Sequence, residues 1–210
     1  MIRRSRRLGW REAGLVALDF ETTGLDLRHD HVLSFGSVPI DQGRIRLADA
    51  LYRTVKPPVE LPAESIVIHG IRPVDVQDAP ALEDVAHELI TALAGRVLVA
   101  HAAWIELGFL NKLLRSRGLK RRRAAIDVLE LAARLSALES TAGPVPSRLT
   151  ALADLFAVPA GRTHHAFQDA LTTAQVFLVL AARLERRGRG DLRDLIASPK
   201  GLRKRTRRPF

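Results

Sequence analysis

The chain of 210 residues contains no cysteine, which removes several kinds of site. Disulfide bonds and thiolate zinc centres are excluded, so any metal must be held by carboxylates, histidines or water. Oxygen ligands favour magnesium or manganese. Long apolar runs of the roughly 18 to 20 residues that cross a bilayer are also missing, and the arginine-rich start lacks the apolar core of a secretion signal. These absences predict a cytoplasmic protein without a membrane-spanning segment.

Aromatic residues are scarce, at 5% of the chain. Trp10, Tyr52 and Trp104 are too few and too scattered to predict a base-stacking platform of the kind found in single-strand binders. With 47% hydrophobic and 27% charged residues, the composition is that of an ordinary globular domain, and the length suits one such domain.

Positive charge is concentrated at the two ends and in one internal segment. The formal net charge is +10; residues 1–11 carry five arginines, residues 115–123 six basic groups, and residues 183–210 eleven basic against three acidic groups. The rest of the chain is therefore net acidic. Basic extremities around an acidic body fit a polyanionic partner such as nucleic acid. A compositional bias toward arginine would produce the same charge, so this alternative stays open.

The hydrophobic pattern predicts one α/β domain over residues 13–196, between a basic arm at 1–12 and a basic tail at 197–210. A proline-punctuated connection covers residues 57–80, and Asp127 is expected to cap or anchor the helix that follows it. Strand-like and helical periodicities of apolar residues both occur along the chain. Strands are predicted over 14–20, 31–40, 43–57, 96–101 and just before Asp127, and helices over 81–95, 103–118, after Asp127, 148–158 and 164–188.

The stretch LVALDFETTG, residues 15–24, places two carboxylates at the end of a buried strand. Asp19 and Glu21 are two positions apart, so their side chains share one face of the strand. Like charges this close are costly in a partly dry site unless a cation compensates them, and metal binding is one explanation. The triplet Asp-x-Glu also arises by chance in a chain with 23 acidic residues.

Two further stretches carry candidate groups at the starts of predicted helices. Glu106 lies in VLVAHAAWIELGFL, residues 97–110, while His164 and Asp169 lie in RTHHAFQDALTTAQVFLVL, residues 162–180. A carboxylate near a helix N-terminus is electrostatically favourable. Taken singly, Glu106 could be an exposed helical glutamate, His164 a loop histidine and Asp169 a solvated first-turn acid.

Together, the three stretches resemble the motifs of the DEDDh family of 3′→5′ exonucleases. LDFETTGLD is similar to the first motif, VAHAAWIELGFL to the second, and HHAFQDA to the third, His-x-Ala-x-x-Asp. IHGIRPVDVQDAP and IDVLELAARL are similar to linking segments of the epsilon proofreading subunits of bacterial DNA polymerase III. The resemblance extends from about residue 13 to 182. It implies a ribonuclease H-like α/β fold, in which helices flank a five-stranded mixed β-sheet with the acidic site at one end of its central strand.

The resemblance also implies an enzyme that uses two divalent metal ions, Mg²⁺ or Mn²⁺. Asp19 would bridge both ions, Glu21 and Asp169 would complete the shell of the first, and Glu106 stands at the remaining acidic position of the family. His164 would accept the proton of the attacking water, which suits a group that titrates near neutral pH. The substrate-side residues implied are Thr22, Thr23, Gly24, Leu25, His69 and His101. For His69, a loop histidine satisfied by backbone is an equally good interpretation.

The second motif departs from the family pattern, usually His-Asn-Ala-x-Phe-Asp. This chain has His101-Ala102-Ala103-Trp104-Ile105-Glu106. The extra methylene of Glu106 moves its carboxylate by on the order of 1.5 Å. The change is tolerated if this acid acts through a water, but it weakens the second metal position if the acid must bind directly. Ala102 also removes an amide that could orient a neighbour. We therefore expect reduced or manganese-favouring activity.

The resulting hypothesis is a monomeric exonuclease that removes nucleoside 5′-monophosphates from single-stranded 3′ ends of DNA, in proofreading or repair, with a DNA polymerase as a candidate partner. One alternative is an RNA-trimming or oligoribonucleotide-degrading exonuclease with the same carboxylates and histidine. The other is a noncatalytic nucleic-acid-binding or polymerase-accessory module, whose site has drifted at Glu106 and Ala102.

Overall fold

The computed structural model describes residues 8–122, 124–140, 143–161 and 163–198. Most of the predicted basic arm and nearly all of the basic tail lie outside the described residues. The described part forms a mixed sheet flanked by helices, which confirms the predicted α/β class. Within these ranges, no helix combines the length and apolar character required to cross a membrane.

The sheet has the strand order β3-β2-β1-β5-β6, and β4 also pairs with β2. β1 pairs with β2 in antiparallel fashion and with β5 in parallel, while β5 and β6 are parallel. β1 is therefore central, as predicted for the strand that carries Asp19. The six strands are β1 (Leu15–Thr22), β2 (Val32–Asp41), β3 (Arg44–Ile45), β4 (Leu51–Thr54), β5 (Val97–Ala100) and β6 (Ala125–Asp127).

The prediction of a five-stranded sheet is wrong, because the single strand expected over residues 43–57 is divided in two. A short 3₁₀ turn, Leu47–Asp49, separates β3 from β4, and both strands pair with β2. The carbonyl of Pro39 in β2 accepts a hydrogen bond from Arg46 N–H on this edge. Since proline has no N–H to donate in return, the ladder cannot continue here as a regular strand.

Eight helices are described, and α1 and α2 lie within the proline-punctuated connection of residues 57–80. Pro73 is the first residue of α2, a position where proline is tolerated. Asp127 caps α5, as predicted, by accepting a hydrogen bond from Leu129 N–H at 2.9 Å. The helices are α1 (Ala63–His69), α2 (Pro73–Val76), α3 (Leu82–Ala92), α4 (Trp104–Ser116), α5 (Val128–Glu139), α6 (Leu149–Leu155), α7 (Ala166–Arg186) and α8 (Leu192–Leu195).

Apolar side chains are buried on both faces of β1, because helices cover both sides of the sheet. Val16 and Leu18 pack in the cluster that contains α3 and α4. Leu15 and Ala17 pack in the other cluster, which contains α5 and α7. Alternation along the strand places Asp19 on the same face as Leu15 and Ala17, the face that α7 covers.

The first turn of α7 approaches β2 at Gly36, which pairs with Asp19 in the β1–β2 register. A Cβ atom on Gly36 would lie 2.4 Å from the backbone C and O atoms of Ala166. No side chain fits in this space, so glycine allows the backbones to approach this closely. The contact brings Asp169, one turn into α7, toward the strand that carries Asp19.

We expect Gly36→Ala to lower the free energy of unfolding by roughly 1–3 kcal/mol, because the added methyl group must displace helix backbone. Urea denaturation of the variant would measure this effect. Gly9→Ala is a matched control, since a Cβ on Gly9 meets nothing within 4 Å. Equal stability of the two variants would contradict the close contact.

Candidate active site

Three elements bring four carboxylates together at one end of the central strand. Asp19 and Glu21 project from β1, Glu106 lies in the first turn of α4, and Asp169 lies in the first turn of α7. Because β1 and β5 are parallel and α4 follows β5, the end of β1 and the start of α4 meet at the same edge of the sheet. The structure thus brings together all four acids that the motifs singled out.

Glu21, His164 and Asp169 form the most compact part of this cluster. One carboxylate oxygen of each acid and one imidazole nitrogen of His164 all lie within 4.8 Å of one another. Glu21 is buried, Asp169 is partly buried and His164 is exposed. The cluster is therefore closed on the side of the sheet and open to solvent on the side of His164.

The environment of these acids disfavours negative charge. Burial, followed by repulsion from Glu106, Glu21 and Asp169, raises the pKa of Asp19 well above its ordinary value. Burial and the charge of Asp169 raise the pKa of Glu21 to about 8. Burial is also the main cause of the raised pKa values of Glu106 and Asp169. Four carboxylates held in this way are a site for positive charge.

Glu106 provides the best test of whether the site fits a metal. Its side chain is 3% exposed, and no hydrogen-bond donor in the described part of the chain reaches Oε2. A buried carboxylate oxygen without a partner is costly, and a cation would satisfy it. Glu106 is also the main source of repulsion on Asp19, so the longer side chain still acts on the cluster. The residues therefore fit divalent metal ions held by oxygen ligands.

His164 is positioned by the backbone as well as by its neighbours. Its φ angle is 56°, in the left-handed region, where histidine is found more often than most residues. Its N–H donates a hydrogen bond to Oδ2 of Asp169 at 2.9 Å. Backbone in a sparsely populated conformation is characteristic of functional sites and must be held by its surroundings.

The loop after β1 contains the first group of candidate substrate residues. Thr22 Oγ1 donates a hydrogen bond to the carbonyl of Gly24 at 2.7 Å, and Thr23 Oγ1 donates to Asp30 Oδ1 at 2.8 Å. These hydroxyls therefore stabilise the loop itself. Leu25, by contrast, is 44% exposed and presents an apolar side chain to solvent.

The two other candidate substrate residues differ in their surroundings. His69, the last residue of α1, is buried; its Nδ1 accepts a hydrogen bond from Ile71 N–H, and its Nε2 has no partner in the described ranges. Burial and the nearby charge of His164 lower the pKa of His69, which favours its neutral form. Because Nδ1 accepts a hydrogen bond, this neutral form carries its proton on Nε2. His101 Nε2 lies 2.9 Å from the carbonyl oxygen of Ser147, in the loop before α6.

Sequence reasoning missed three contacts that shape this region. Gly36 permits the approach of α7, and a glycine inside a buried strand pattern was the available signal. Tyr52 stacks on His165 with ring centroids 4.5 Å apart, and Asp127 accepts a hydrogen bond from Ala103 N–H at 3.1 Å. These two contacts join segments distant in the chain and leave no local pattern.

The raised pKa of Glu21 predicts that the metal-free protein loses stability as pH rises. The folded protein keeps a proton on Glu21 up to about pH 8, whereas the unfolded chain releases it near 4.5. The folded state therefore binds more protons across this window, so the free energy of unfolding falls as pH rises through it. We expect a Tm in chelator that is roughly 5 °C higher at about pH 5.5 than at about pH 8.

Glu21→Gln should flatten this pH dependence, because the amide does not titrate. Adding a divalent metal should raise the Tm more at the higher pH, where the carboxylates are free of protons. A metal-free Tm that rises across the window would contradict the prediction.

Solved exonuclease structures share this fold. The nuclease domain of 3′hExo, described as a DEDDh family member bound to rAMP, matches with a TM-score of 0.69 at 17% identity, covering 91% of this chain and 99% of that chain. The match confirms the predicted ribonuclease H-like fold. Four acids and a histidine lie at one end of the central strand of this fold.

Sequence comparison identifies the family. Residues 16–177 match the family model described as Exonuclease, and the chain belongs to this family. The PolC-type DNA polymerase III of Thermotoga maritima is 32% identical over 185 residues, which are 88% of this chain and 13% of that protein. A DNA polymerase III subunit epsilon-like protein of Rhodobacter capsulatus is 33% identical over 175 residues, 82% of this chain and 24% of that protein. The chain spans a quarter or less of the length of these relatives.

Proposed function

We propose that the chain is a metal-dependent 3′→5′ exonuclease that removes nucleoside 5′-monophosphates from single-stranded 3′ ends of DNA. The observation that carries this proposal is the cluster of Asp19, Glu21, Glu106 and Asp169, whose raised pKa values call for a cation, with the imidazole of His164 beside it. DNA is the proposed substrate because both relatives above are named for DNA polymerase III.

Two divalent ions, Mg²⁺ or Mn²⁺, would supply the positive charge that stabilises the reacting phosphate and lowers the pKa of the attacking water. Asp19 interacts electrostatically with all three other acids, which suits a residue shared between two metal positions. Glu21 and Asp169, beside His164, suit the first position. Glu106 suits the second position.

His164 would accept the proton of the attacking water. Its imidazole is exposed and within 4.8 Å of ligand atoms on Glu21 and Asp169, so a water between these groups is within its reach. The terminal nucleotide would lie against Thr22, Thr23, Gly24 and Leu25, and His69 Nε2 would donate a hydrogen bond to it. His101 completes the proposed substrate-side set.

We further propose a cytoplasmic monomer that works in proofreading or repair and has a DNA polymerase as its partner. The proposed exonuclease domain covers residues 13–196. The basic segments on either side of it would contact nucleic acid nonspecifically. The names of the relatives and the positive charge of both ends support this assignment.

A substrate panel tests the proposal. The chain is incubated with single-stranded, 3′-recessed and 3′-mismatched DNA and with short RNA, each with magnesium, manganese or chelator. We expect release of mononucleotides from single-stranded DNA that stops in chelator. Faster release from RNA would select the RNA-trimming alternative, and binding without cleavage under every metal condition would select the noncatalytic module.

Glu106→Asp tests the departure in the second motif. If the added methylene displaces the carboxylate from its best position, the shorter side chain should raise kcat with magnesium several-fold and reduce the preference for manganese. The measurement is the ratio of kcat values in the two metals for both proteins. Equal kcat of the wild type in both metals, without a higher kcat in the variant, would contradict this interpretation.

A further inference from the structure

A groove of about 470 Å³ lies along α4. Trp104, Gly108, Asn111 and Arg115 line it at intervals of three or four residues, so they share one side of the helix. From Trp104 to Arg115 the helix is about 16 Å long. Leu27 and Arg28 also line the groove, and they belong to the same loop after β1 as the candidate substrate residues Thr22–Leu25.

All of the charged side chains that line this groove are basic: Arg28, Lys112, Arg115 and Arg121. Lys112 Nζ donates a hydrogen bond to the carbonyl of Asp30, while the three arginines are exposed. Arg122, next in the chain, is partly buried and donates instead to the carbonyl of Arg96 at 2.6 Å. In the internal basic segment, Arg122 therefore has a structural role, whereas Arg115 and Arg121 line the groove. A group of basic side chains with no acid among them is typical of a surface that binds phosphate groups.

Apolar surface lies between these cations. Trp104, Leu27 and Leu107 line the groove, and a Cβ on Gly108 would lie 2.5 Å from Leu27 Cδ1. Glycine at 108 therefore lets Leu27 lie directly against α4. An aromatic ring in a groove lined by arginines is suited to bind a nucleobase and its phosphates without regard to sequence.

The other two candidate aromatics are already occupied. Trp10 is 1% exposed and packs edge to face against Phe177, and Tyr52 stacks on His165. Trp104 is partly buried and packs against the cluster that contains α5 and α7, and it also lines this groove together with the basic side chains.

We propose that this groove binds the single-stranded segment immediately upstream of the 3′-terminal nucleotide. Arg28, Arg115 and Arg121 contact its phosphates, and one of its bases stacks on Trp104. At about 3.4 Å per stacked nucleotide, four or five nucleotides have the same length as the segment of α4 that lines the groove. The inference rests on the proposed function, because it extends the path of the same substrate beyond the reacting end.

Binding in chelator tests the groove separately from cleavage. A fluorescent single-stranded DNA of about eight nucleotides is titrated with the full chain, with Arg115→Ala/Arg121→Ala, and with Arg189→Ala/Arg193→Ala. The control pair removes the same charge from exposed arginines beyond the far end of α7. We expect the groove pair to raise Kd at least about tenfold and to make the slope of log Kd against log salt shallower by about 1.4, or 0.7 per lost phosphate contact. The control pair should change Kd less than threefold.

Tryptophan emission reports the stacked base directly. Saturating oligonucleotide should quench the emission of the wild type, and Trp104→Phe, which leaves buried Trp10 as the emitter, should show no such quenching. Equal effects of the two arginine pairs, or quenching that persists in Trp104→Phe, would overturn the groove assignment.

Substrate length distinguishes this assignment from the proposed function. In the wild type, KM should fall as single-stranded DNA grows from two to about five nucleotides, and the groove pair should raise KM more for the longer substrate. No metal-dependent cleavage, with binding still lost in the groove pair, would refute the exonuclease proposal and leave the groove intact. Normal cleavage with KM independent of length would refute the groove alone.

Discussion

Asp19→Asn is expected to lower the rate of mononucleotide release at least about 10³-fold while the fold stays intact. Asp19 is the residue whose charge interacts with Glu106, Glu21 and Asp169, so its loss removes the shared ligand of the proposed metal pair. In chelator the variant should be as stable as the wild type or more stable, by on the order of 1 kcal/mol, because the substitution removes a carboxyl whose charged form is disfavoured by burial and repulsion. The measurements are kcat with magnesium and Tm in chelator.

Asp41→Asn is the matched control on the neighbouring strand. Asp41 Oδ1 accepts a hydrogen bond from Arg96 at 2.5 Å, and this contact lowers the pKa of Asp41. Removing its charge should therefore reduce stability and leave catalysis in place, the opposite of the result expected for Asp19. If Asp19→Asn retains activity within tenfold of the wild type, the metal-ligand role is refuted.

His164→Asn is expected to lower kcat by about 10²- to 10⁴-fold near neutral pH, the range typical for loss of a general base. Asparagine tolerates positive φ, so the backbone at 56° and its hydrogen bond to Asp169 should be preserved. Metal binding, measured as the rise of Tm on adding magnesium, should change little. The pH profile of kcat should lose the limb that reflects the base.

His87→Asn is the control, because His87 is exposed on α3. A wild-type rate in His164→Asn, or a pH profile that is unchanged by the substitution, would contradict the assignment of His164 as the base.

The central part of the fold could be predicted from local pattern. Continuous apolar residues before Asp19 indicate a strand buried on both faces, and the glycines at 95 and 118 mark the ends of the predicted helices. The division of the third strand depends on which edge of β2 the missing N–H of Pro39 faces. That direction follows from pairing between strands, so the sequence alone does not reveal it.

The candidate site shows the same contrast. The acids could be assigned together because their motifs occur in the family's order. How strongly each acid affects the pKa of the others could not be predicted, because this depends on burial and on distances between three separate elements. The roles of Thr22 and Thr23 as internal hydrogen-bond donors to their own loop likewise emerge only when Gly24 and Asp30 are placed in space.

The carboxylate of Asp127 receives the N–H of Leu129 in α5 and the N–H of Ala103 at the start of α4. One side chain therefore accepts hydrogen bonds at the starts of two helices, and the first turn of one of them, α4, contains Glu106. When the first turn of α5 frays, both N–H groups lose their acceptor together, so these two helix starts open as one cooperative unit. The position of Glu106, the acid that departs from the family pattern, is thereby linked to the local stability of a helix that contributes no ligand of its own.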